Sequence, residues 1–479
     1  MYRLIYSPKR KQTDSQNREQ MENQRERVHV LVLTYPAQGH INPLLQFAKR
    51  LASKRVKATL ATTHYTVKSI HATTVGVEPI SDGFDEGGFK QAPSVKAYLD
   101  SFKTVGSRTL AEVILKYKDS ESPVNCIVYD SLLTWALDVA RQFGIYGAAM
   151  MTNSASVCSM YWQINHGLLT LPVNQETVPV TLPGLPSLAS SDLPSFLAQP
   201  ASNPAYLAAI LEQFGSLNKN DWVLCNSFEE LEKELLRAML GLWPLVMIGP
   251  LVPSAYLDQQ IAGDSAYGAN IWEPTGDQCM RWLATKPEKS VIYVSFGSMA
   301  DIAANQVDEI ARGLKASEKP FLWVVKENEN KLPVEFVNSV GETGLVVRWC
   351  NQFEVLAHQA VGCFITHCGW NSILEGLSLG VAVVAVPQFS DQPTNAKFVE
   401  EVWEVGVRAK KNRAGIVTGE ELNKCVNEVM DGERSQKIKR NVSKWREFAK
   451  KAVRAGGSSD KNIDEFVVRL MKADGKSLN

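Results

Sequence analysis

The chain has 479 residues, which is more than one hydrophobic core ordinarily supports, so we expect two domains. Its 51 basic residues are balanced by 51 acidic residues, which argues against a nucleic-acid partner or attraction to anionic membranes. No apolar stretch reaches the roughly 18 residues of a membrane span, and the eight scattered cysteines lack zinc-ligand spacing. We therefore expect a cytoplasmic protein with reduced thiols.

The first residues of the chain are polar and basic, and they lack the apolar core of a signal peptide. We expect residues 1–26 to form a disordered N-terminal extension. Either Met1 or Met21 is the functional start.

The first buried strand is predicted at Val28–Leu33, with a loop over Thr34–His40 and a helix that starts at Ile41. Ligands bind outside the carboxyl ends of parallel strands, so His40 lies where such a sheet presents its chemistry. On loop statistics alone, a histidine beside a helix start is more often structural than catalytic.

A second carboxyl end carries Asp130. The run Cys126–Asp130 predicts a buried strand, and helical spacing follows from Ser131 to Phe143. An aspartate that closes a parallel strand is either a helix cap or an active-site acid, and the residues alone leave both interpretations open. The next predicted strand, Gly147–Thr152, ends in a hydroxyl.

The middle of the chain is less regular. Residues 153–213 alternate proline-rich pieces with large apolar side chains such as Phe196 and Tyr206, and they fit either a pocket wall or ordinary surface helices and loops. Proline, glycine and serine then predict a linker over residues 251–275. A new strand at Ser290–Phe296 runs into a small turn at Ser298, whose hydroxyl and free amides suit a diphosphate.

The stretch Trp349–Gln392 has the pattern of one continuous nucleotide-sugar site. An apolar strand at Val361–Thr366 is followed by a turn, a helix that Gly380 stops, and a third apolar run at Val381–Val386. Strand, turn, helix and strand at this spacing predict a βαβ unit in a parallel sheet.

The polar side chains of this unit suit the parts of a nucleotide. Trp349 offers a face for a base, which is worth roughly 1–3 kcal/mol by analogy with nucleic-acid stacking. Asn371 and Ser372 fall at the helix start, where free N–H groups favour phosphate. Glu375 lies one turn further along the same face and is suited to accept two ribose hydroxyls.

Each of these residues also has a structural interpretation. A tryptophan at a strand end is usually core, a polar residue at a helix start is usually a cap, and His367 alone would be a satisfied turn histidine. Asp391 and Gln392 follow the last strand, where they either reach sugar hydroxyls or shape a turn before Pro393.

Taken together, the stretch resembles the signature box of plant family-1 UDP-sugar glycosyltransferases, and the resemblance extends from about Val28 to the C-terminus. The loop 81–88 resembles that of the subgroup with salicylate, thiohydroximate and some terpenoid or steroid glucosyltransferases. The resemblance implies an α/β fold of two facing Rossmann-like domains, the GT-B type. The implied parts are an acceptor-binding domain at 27–250, the linker at 251–275, a UDP-sugar-binding domain at 276–455, and a helix at 456–479 that packs back on the first domain.

The resemblance also assigns roles to single residues. His40 corresponds to the catalytic base, and Asp130 corresponds to the acid that hydrogen-bonds it. The donor-binding residues that it implies are Thr152, Ser298, Trp349, Cys350, Gln352, His367, Trp370, Asn371, Ser372, Glu375, Asp391 and Gln392.

These roles imply inverting transfer of glucose from UDP-glucose to a hydroxyl or carboxyl of a hydrophobic small molecule, such as a steroid, terpenoid or phenolic. We expect no metal and no cofactor, because a helix dipole and polar side chains stabilise the diphosphate, and the chain has no DxD carboxylate pair. In the family, glutamine at the position of Gln392 goes with glucose. We expect a monomer.

Two alternatives stay open. The first is a UDP-sugar epimerase or a dehydrogenase on the same scaffold, although Gln38-Gly39-His40 is not the GxGxxG that a dehydrogenase shows after its first strand. The second is a catalytically dead UDP-sugar-binding protein, which would more plausibly have lost His40 or Asp130.

Overall fold

The computed structural model describes residues 25–474 apart from 72–73, 174–178, 270–276, 326–331, 333–335 and 337–339. Two parallel β-sheets organise the chain, which confirms the predicted α/β class. The first sheet has the strand order β3-β2-β1-β4-β5-β6-β7. Its strands are β1 His29–Leu33, β2 Lys57–Thr63, β3 Gly76–Ile80, β4 Val124–Asp130, β5 Tyr146–Met151, β6 Trp222–Cys225 and β7 Leu245–Met247.

The second sheet has the strand order β10-β9-β8-β11-β12-β13, and every pairing in it is parallel. Its strands are β8 Val291–Ser295, β9 Phe321–Val324, β10 Gly344–Val347, β11 Val361–Thr366, β12 Ala382–Ala385 and β13 Gly406–Arg408. Strands β8 and β12 are buried at every residue, as expected for parallel strands that are covered on both faces.

Helices connect the strands and cover the sheets. In the first half they are α1 Gln38–Ser53, α2 His64–Val67, α3 Val95–Tyr117, α4 Trp135–Gln142, α5 Ala155–Asn165, α6 Ser195–Ala198, α7 Pro204–Gly215 and α8 Lys233–Ala238. In the second half they are α9 Gln278–Leu283, α10 Ala304–Ala316, α11 Gln352–Ala357, α12 Trp370–Leu379, α13 Gln392–Lys397, α14 Gly419–Met430, α15 Ser435–Val453 and α16 Ser458–Asp474. Short 3-10 helices lie at Gly88–Gln91, Ser190–Asp192, Pro200–Ser202, Leu217–Lys219 and Ser254–Tyr256, and a π-helical turn lies at Phe398–Val402.

The last helix, α16, lies against the first sheet. The Phe466 ring meets the Trp222 ring edge-on, with 5.0 Å between ring centroids. The side-chain amide of Asn462 donates to the carbonyl of Met247 over 2.8 Å. Apolar packing and hydrogen bonds therefore join the end of the chain to the first half.

The predicted N-terminal extension and the predicted linker flank the first half of the chain, and the structure describes part of each. Residues 1–24 of the predicted extension lie outside the described residues, whereas the Arg25 guanidinium lies 3.4 Å from the Asp464 carboxylate of α16. Residues 270–275 of the predicted linker also lie outside the described residues. Its described part, 251–269, forms two buried ion pairs with α1, Asp258 with Arg50 and Asp264 with Lys49.

No helix in the described part of the chain combines the length and apolar character that crossing a bilayer requires. All eight cysteines are buried free thiols.

Candidate active site

A cavity of about 350 Å³ lies between the two halves and is lined by segments that follow strand ends of both sheets. The first half contributes residues after β1, β4 and β5, and the second half contributes residues after β8, β10, β11 and β12. This is the edge at which parallel sheets bind ligands. The cavity is lined by His40, Thr152, Ser298, Trp349, Cys350, Gln352, His367, Trp370, Asn371, Ser372, Glu375, Asp391 and Gln392, so all the predicted site residues except Asp130 reach it.

The position predicted for His40 was wrong in one respect. Helix α1 begins at Gln38, so His40 lies in the first turn of this helix and not in a loop. The residue before the helix is Ala37, whose side chain forms no cap. The sequence therefore carries no serine, threonine or aspartate signal at the true helix start.

His40 and Asp130 form a hydrogen-bonded pair. The imidazole Nδ1 donates to Asp130 Oδ2 over 2.6 Å, and the carboxylate is fully buried. The other carboxylate oxygen accepts from the backbone N–H of Leu132 at 3.1 Å, which turns the chain after β4. Asp130 does not cap the helix that follows, because α4 begins at Trp135 and its N-cap residue is Thr134, so the cap interpretation was wrong. Since Nδ1 faces Asp130, Nε2 is the ring nitrogen left to take a proton.

Burial and charge act in opposite directions on the pKa of His40. Burial lowers it, but the Asp130 carboxylate raises it through both charge and the hydrogen bond, and Asp391 adds a smaller effect. The pKa of His40 consequently lies above its ordinary value. An imidazole of this kind is a stronger base, although more of it is protonated at neutral pH.

Two further side chains hold the His40 ring. The hydroxyl of Thr152 lies 3.3 Å from Nδ1, and the ring of Tyr35 meets the imidazole edge-on at 5.3 Å between centroids. The resemblance assigned Thr152 to the donor sugar. In the structure its hydroxyl lies beside the His40 imidazole.

Glu375 is the centre of a buried hydrogen-bond network. Its carboxylate accepts from Tyr267 at 3.2 Å and from the side-chain amide of Gln352. Gln352 also donates to Ser372 at 3.2 Å and accepts from Tyr293 at 3.0 Å. Burial raises the pKa of Glu375 to about 7, although the two hydrogen bonds oppose this shift.

Trp349 and Cys350 follow β10 at the wall of the same cavity. Trp349 is half-buried, so part of its ring is open to a ligand. The Cys350 thiol is buried, and its sulfur lies 3.5 Å from the hydroxyl of Tyr293. Of these two neighbours, only the tryptophan presents an exposed planar surface.

His367 lies where the backbone approaches very closely. A Cβ on Gly297 would lie 2.7 Å from the imidazole, and a Cβ on Gly369 would lie 2.5 Å from it. Gly297 also has a φ of 71°, in the left-handed region that glycine tolerates. Only glycines fit on these two sides of the ring, and the Gly297 turn leads directly into Ser298.

Two helix N-termini meet across the cavity. Helix α12 begins at Trp370 without a side-chain cap, and α1 lacks one as well, so neither end has its free N–H groups satisfied by a capping side chain. The side-chain amide of Asn371 donates to the carbonyl of Gly39 over 2.8 Å, and its amide oxygen is buried without a partner in the described structure. Uncapped N-termini favour an anion such as a diphosphate.

Gln392 and Asp391, which the resemblance assigns to the donor, also make hydrogen bonds within their own turn and helix. The Gln392 side-chain oxygen accepts from the backbone N–H groups of Gln388 and Phe389, at 2.9 and 3.0 Å, so it does shape the turn. Its amide nitrogen remains available as a donor. Asp391 accepts from Asn395 at 2.7 Å, and burial raises the pKa of Asp391 to about 6.

The indole of Trp370 has a partner in the first half. Its N–H donates to the carbonyl of Asn226 over 2.7 Å, and the ring is 3% exposed. The side chain thus ties the two halves together.

Several residues of the site were not anticipated from the sequence. Tyr267 lies in the predicted linker, yet it bonds Glu375 and meets the Phe353 ring edge-on at 5.0 Å. No local signal marks it, since the surrounding residues have linker composition. In the first half, Ser131 also lines the cavity, and its hydroxyl donates at 2.6 Å to Gln213, the last residue of the segment 153–213 for which a pocket wall was one interpretation.

The cavity has little positive charge. Among the lining residues that the structure describes there is no lysine or arginine, so cationic character comes from histidines and helix N-termini. Among the described residues no group of three or more His, Cys, Asp or Glu side chains is placed to hold a metal ion.

Comparison with known proteins decides the family. A model of the family described as "UDP-glucoronosyl and UDP-glucosyl transferase" matches residues 24–448. The chain belongs to this family. It is 47% identical to UDP-glycosyltransferase 74B1 of Arabidopsis thaliana, over 93% of this chain and 98% of the relative. It is 44% identical to the flavonol 7-O-beta-glucosyltransferase UGT74F1 of the same plant, over 93% of this chain and 98% of that protein.

Similarity to a solved structure supports the same family assignment. The crystal structure of Os79 from O. sativa in complex with UDP superposes with a TM-score of 0.88 at 40% identity, covering 92% of this chain and 100% of that one. The GT-B arrangement of two Rossmann-like domains is therefore confirmed. The chain is an enzyme, a plant-type UDP-glycosyltransferase, and the dehydrogenase and epimerase alternatives are set aside.

Proposed function

We propose that this enzyme transfers glucose from UDP-glucose, with inversion, to a hydroxyl or carboxyl of a hydrophobic small molecule. The observation that carries the proposal is the shared cavity: the His40–Asp130 pair on one side faces the Trp349–Glu375 wall on the other. The similarity to a plant flavonol 7-O-beta-glucosyltransferase supports glucose as the sugar.

The proposed step begins with the acceptor oxygen beside His40 Nε2. As this oxygen attacks the anomeric carbon, Nε2 takes its proton, and the bond from that carbon to the UDP oxygen breaks on the opposite face. Asp130, at 2.6 Å from Nδ1, holds the ring orientation and stabilises the imidazolium that forms. UDP leaves with the bonding electron pair.

UDP is proposed to lie along the second half. Its base would stack on Trp349, and both ribose hydroxyls would donate to Glu375, whose present partners are Tyr267 and Gln352. The diphosphate would lie between His367 and the N-terminus of α12, which presents free N–H groups. A hydroxyl at Ser298 completes this set.

The proposed enzyme needs no metal, because these N–H groups and the side chains of Ser298 and His367 stabilise the leaving diphosphate. Thorough removal of divalent ions with EDTA should therefore leave the initial rate of glucoside formation within about 20% of the untreated enzyme. The rate is followed by UDP release. A loss of activity that magnesium or manganese restores would contradict this expectation.

The acceptor is proposed to bind in the part of the cavity formed by the first half. Aromatic and aliphatic side chains line it, together with a few hydroxyl and amide groups. The apolar members are Tyr35, Leu132, Met151, Phe196, Tyr206 and Ile210. Such a wall suits a flat or polycyclic molecule that has few polar groups.

Donor choice tests the proposal directly. No lysine or arginine lines the described cavity, so the carboxylate of glucuronate would lack a charge partner, whereas Asp391 and Gln392 can bond neighbouring hydroxyls of glucose. With UDP-glucose, UDP-galactose and UDP-glucuronate at equal concentration, the glucoside should dominate by at least about tenfold, as mass spectrometry of the products would show. Preference for either competitor would overturn the assignment.

A further inference from the structure

A segment of the first half crosses to the second half and docks beside the proposed sugar site. We name residues 189–198 the strap; it contains the 3-10 helix Ser190–Asp192 and α6. The surface it contacts is formed by Ser390, by α13 and by Arg408 of β13. Helix α13 starts at Gln392, directly after Asp391, so the strap holds the element that presents both residues.

A buried charge cluster forms the first attachment. The Asp192 carboxylate, with its side chain 7% exposed, lies 3.1 Å from Lys397 Nζ and 2.6 Å from Arg408 Nη1. Both cations belong to the second half. The Asp192 carbonyl also accepts from the Thr394 hydroxyl at 2.6 Å, and Arg408 donates to the carbonyl of Ser191 at 2.7 Å.

A reciprocal pair of hydrogen bonds forms the second attachment. The backbone N–H of Ser195 donates to the carbonyl of Ser390 over 2.8 Å, and the N–H of Ser390 donates to the Ser195 hydroxyl over 2.7 Å. Ser390 has a φ of 59°, in the left-handed region that a serine rarely adopts. The strap therefore bonds both backbone groups of a strained residue that immediately precedes Asp391.

The strap also belongs to the acceptor side. Phe196, the residue after Ser195, lines the cavity, and its ring lies 6.3 Å from that of Tyr206. One short segment thus contacts Ser390 and α13 through Ser195 and Asp192, and it lines the cavity with Phe196. A shift of the strap would move both at once.

We propose that Asp192 and Ser195 are positioning residues for the donor sugar, and that through the strap the acceptor half sets the geometry of Asp391 and Gln392. This inference rests on the proposed function, in which those two residues bind the sugar. Replacing Asp192 by asparagine would remove the carboxylate that pairs with Arg408 and one of the two that pair with Lys397, whose other partner is Glu401 at 2.9 Å. Removing one partner of a buried ion pair is destabilising. Removing the Ser195 hydroxyl would leave the N–H of Ser390 without its acceptor.

The test separates the sugar from the rest of the donor. For Asp192→Asn we expect kcat/KM for UDP-glucose to fall about tenfold or more, and for Ser195→Ala about three- to tenfold. The Kd for UDP, which carries no sugar, should stay within about twofold in both, because neither attachment touches the proposed base, ribose or diphosphate positions. Asp192→Glu should restore part of the loss.

The matched control is Asp221→Asn, which breaks the Arg141–Asp221 ion pair, 2.9 Å long, at a site that does not line the cavity. It should leave both kcat/KM for UDP-glucose and the Kd for UDP unchanged.

Gln392→Ala serves as the reference for loss of sugar binding itself. If Gln392→Ala lowers kcat/KM for UDP-glucose but the strap variants do not, the inference is wrong; if Gln392→Ala has no effect either, the proposed sugar site is wrong. A parallel loss of UDP affinity in the strap variants would also overturn the inference, and Ser195→Ala alone decides it should Asp192→Asn not fold.

Discussion

Replacing His40 by alanine should lower kcat for a neutral alcohol acceptor by about 10²- to 10⁴-fold, the usual contribution of a general base. The Kd for UDP-glucose should stay near the wild-type value, because the proposed donor contacts lie on the second half. Initial rates and isothermal titration calorimetry measure the two quantities. Strongly acidic acceptors, already ionised at neutral pH, should lose least.

The matched control is His64→Ala, because His64 is an exposed histidine of the same half. It should leave the rate unchanged. Turnover of a neutral alcohol by His40→Ala at the wild-type rate would show that His40 is not the base.

The dependence of the rate on pH tests the His40–Asp130 pair independently. A base must be neutral to accept a proton, and Asp130 raises the pKa of His40, so the rate should rise with pH through a value above the ordinary histidine pKa. In Asp130→Asn the raising charge is lost while burial remains. The acid limb should therefore move to lower pH, and the plateau should fall.

Replacing Glu375 by glutamine should weaken UDP-glucose binding by about 10- to 150-fold, the value of hydrogen bonds to a charged group. The proposed ribose hydroxyls both donate, and an amide offers only one oxygen to accept them. Calorimetry measures the loss. The control is Glu354→Gln, an exposed glutamate on α11, which should bind as the wild type does.

The same carboxylate predicts a pH dependence with a definite sign. Burial raises the pKa of Glu375 to about 7, and the ionised form is the one that accepts both hydroxyls. Wild-type affinity for UDP-glucose should therefore decrease as pH falls below about 7, by up to about tenfold per unit. Glu375→Gln should abolish this dependence. Tyr267→Phe removes a hydrogen bond that lowers the pKa of Glu375, so the midpoint of the affinity profile should move to higher pH. Wild-type binding that does not depend on pH would refute the assignment of Glu375 to the ribose.

Much of the fold was predictable because it is written in local patterns. The strand Val361–Thr366 was predicted with the bounds observed, since a buried parallel strand is a continuous apolar run. Gly380 ends α12 in the left-handed conformation that its position after the helix predicted. The start of α1 was missed because Ala37 gives no capping signal.

Contacts between distant parts of the chain left no such pattern. The predicted linker contains Asp258 and Asp264, whose carboxylates pair with Arg50 and Lys49 of α1 in buried ion pairs. Composition indicated only a flexible connection, because pairing across more than 200 residues has no local spacing. The strap contacts and the role of Tyr267 were not predictable for the same physical reason, because their partners are distant in sequence and come close only in the folded chain.

The most direct test of the central claim is the anomeric configuration of the product, measured by proton NMR during a reaction of UDP-glucose with a neutral phenol. Attack opposite UDP by an oxygen that His40 deprotonates predicts a β-glucoside, formed in step with UDP and about 10²- to 10⁴-fold more slowly by His40→Ala. An α-glucoside, conversion of UDP-glucose to UDP-galactose, or UDP-glucose left unchanged across a broad acceptor panel would contradict it.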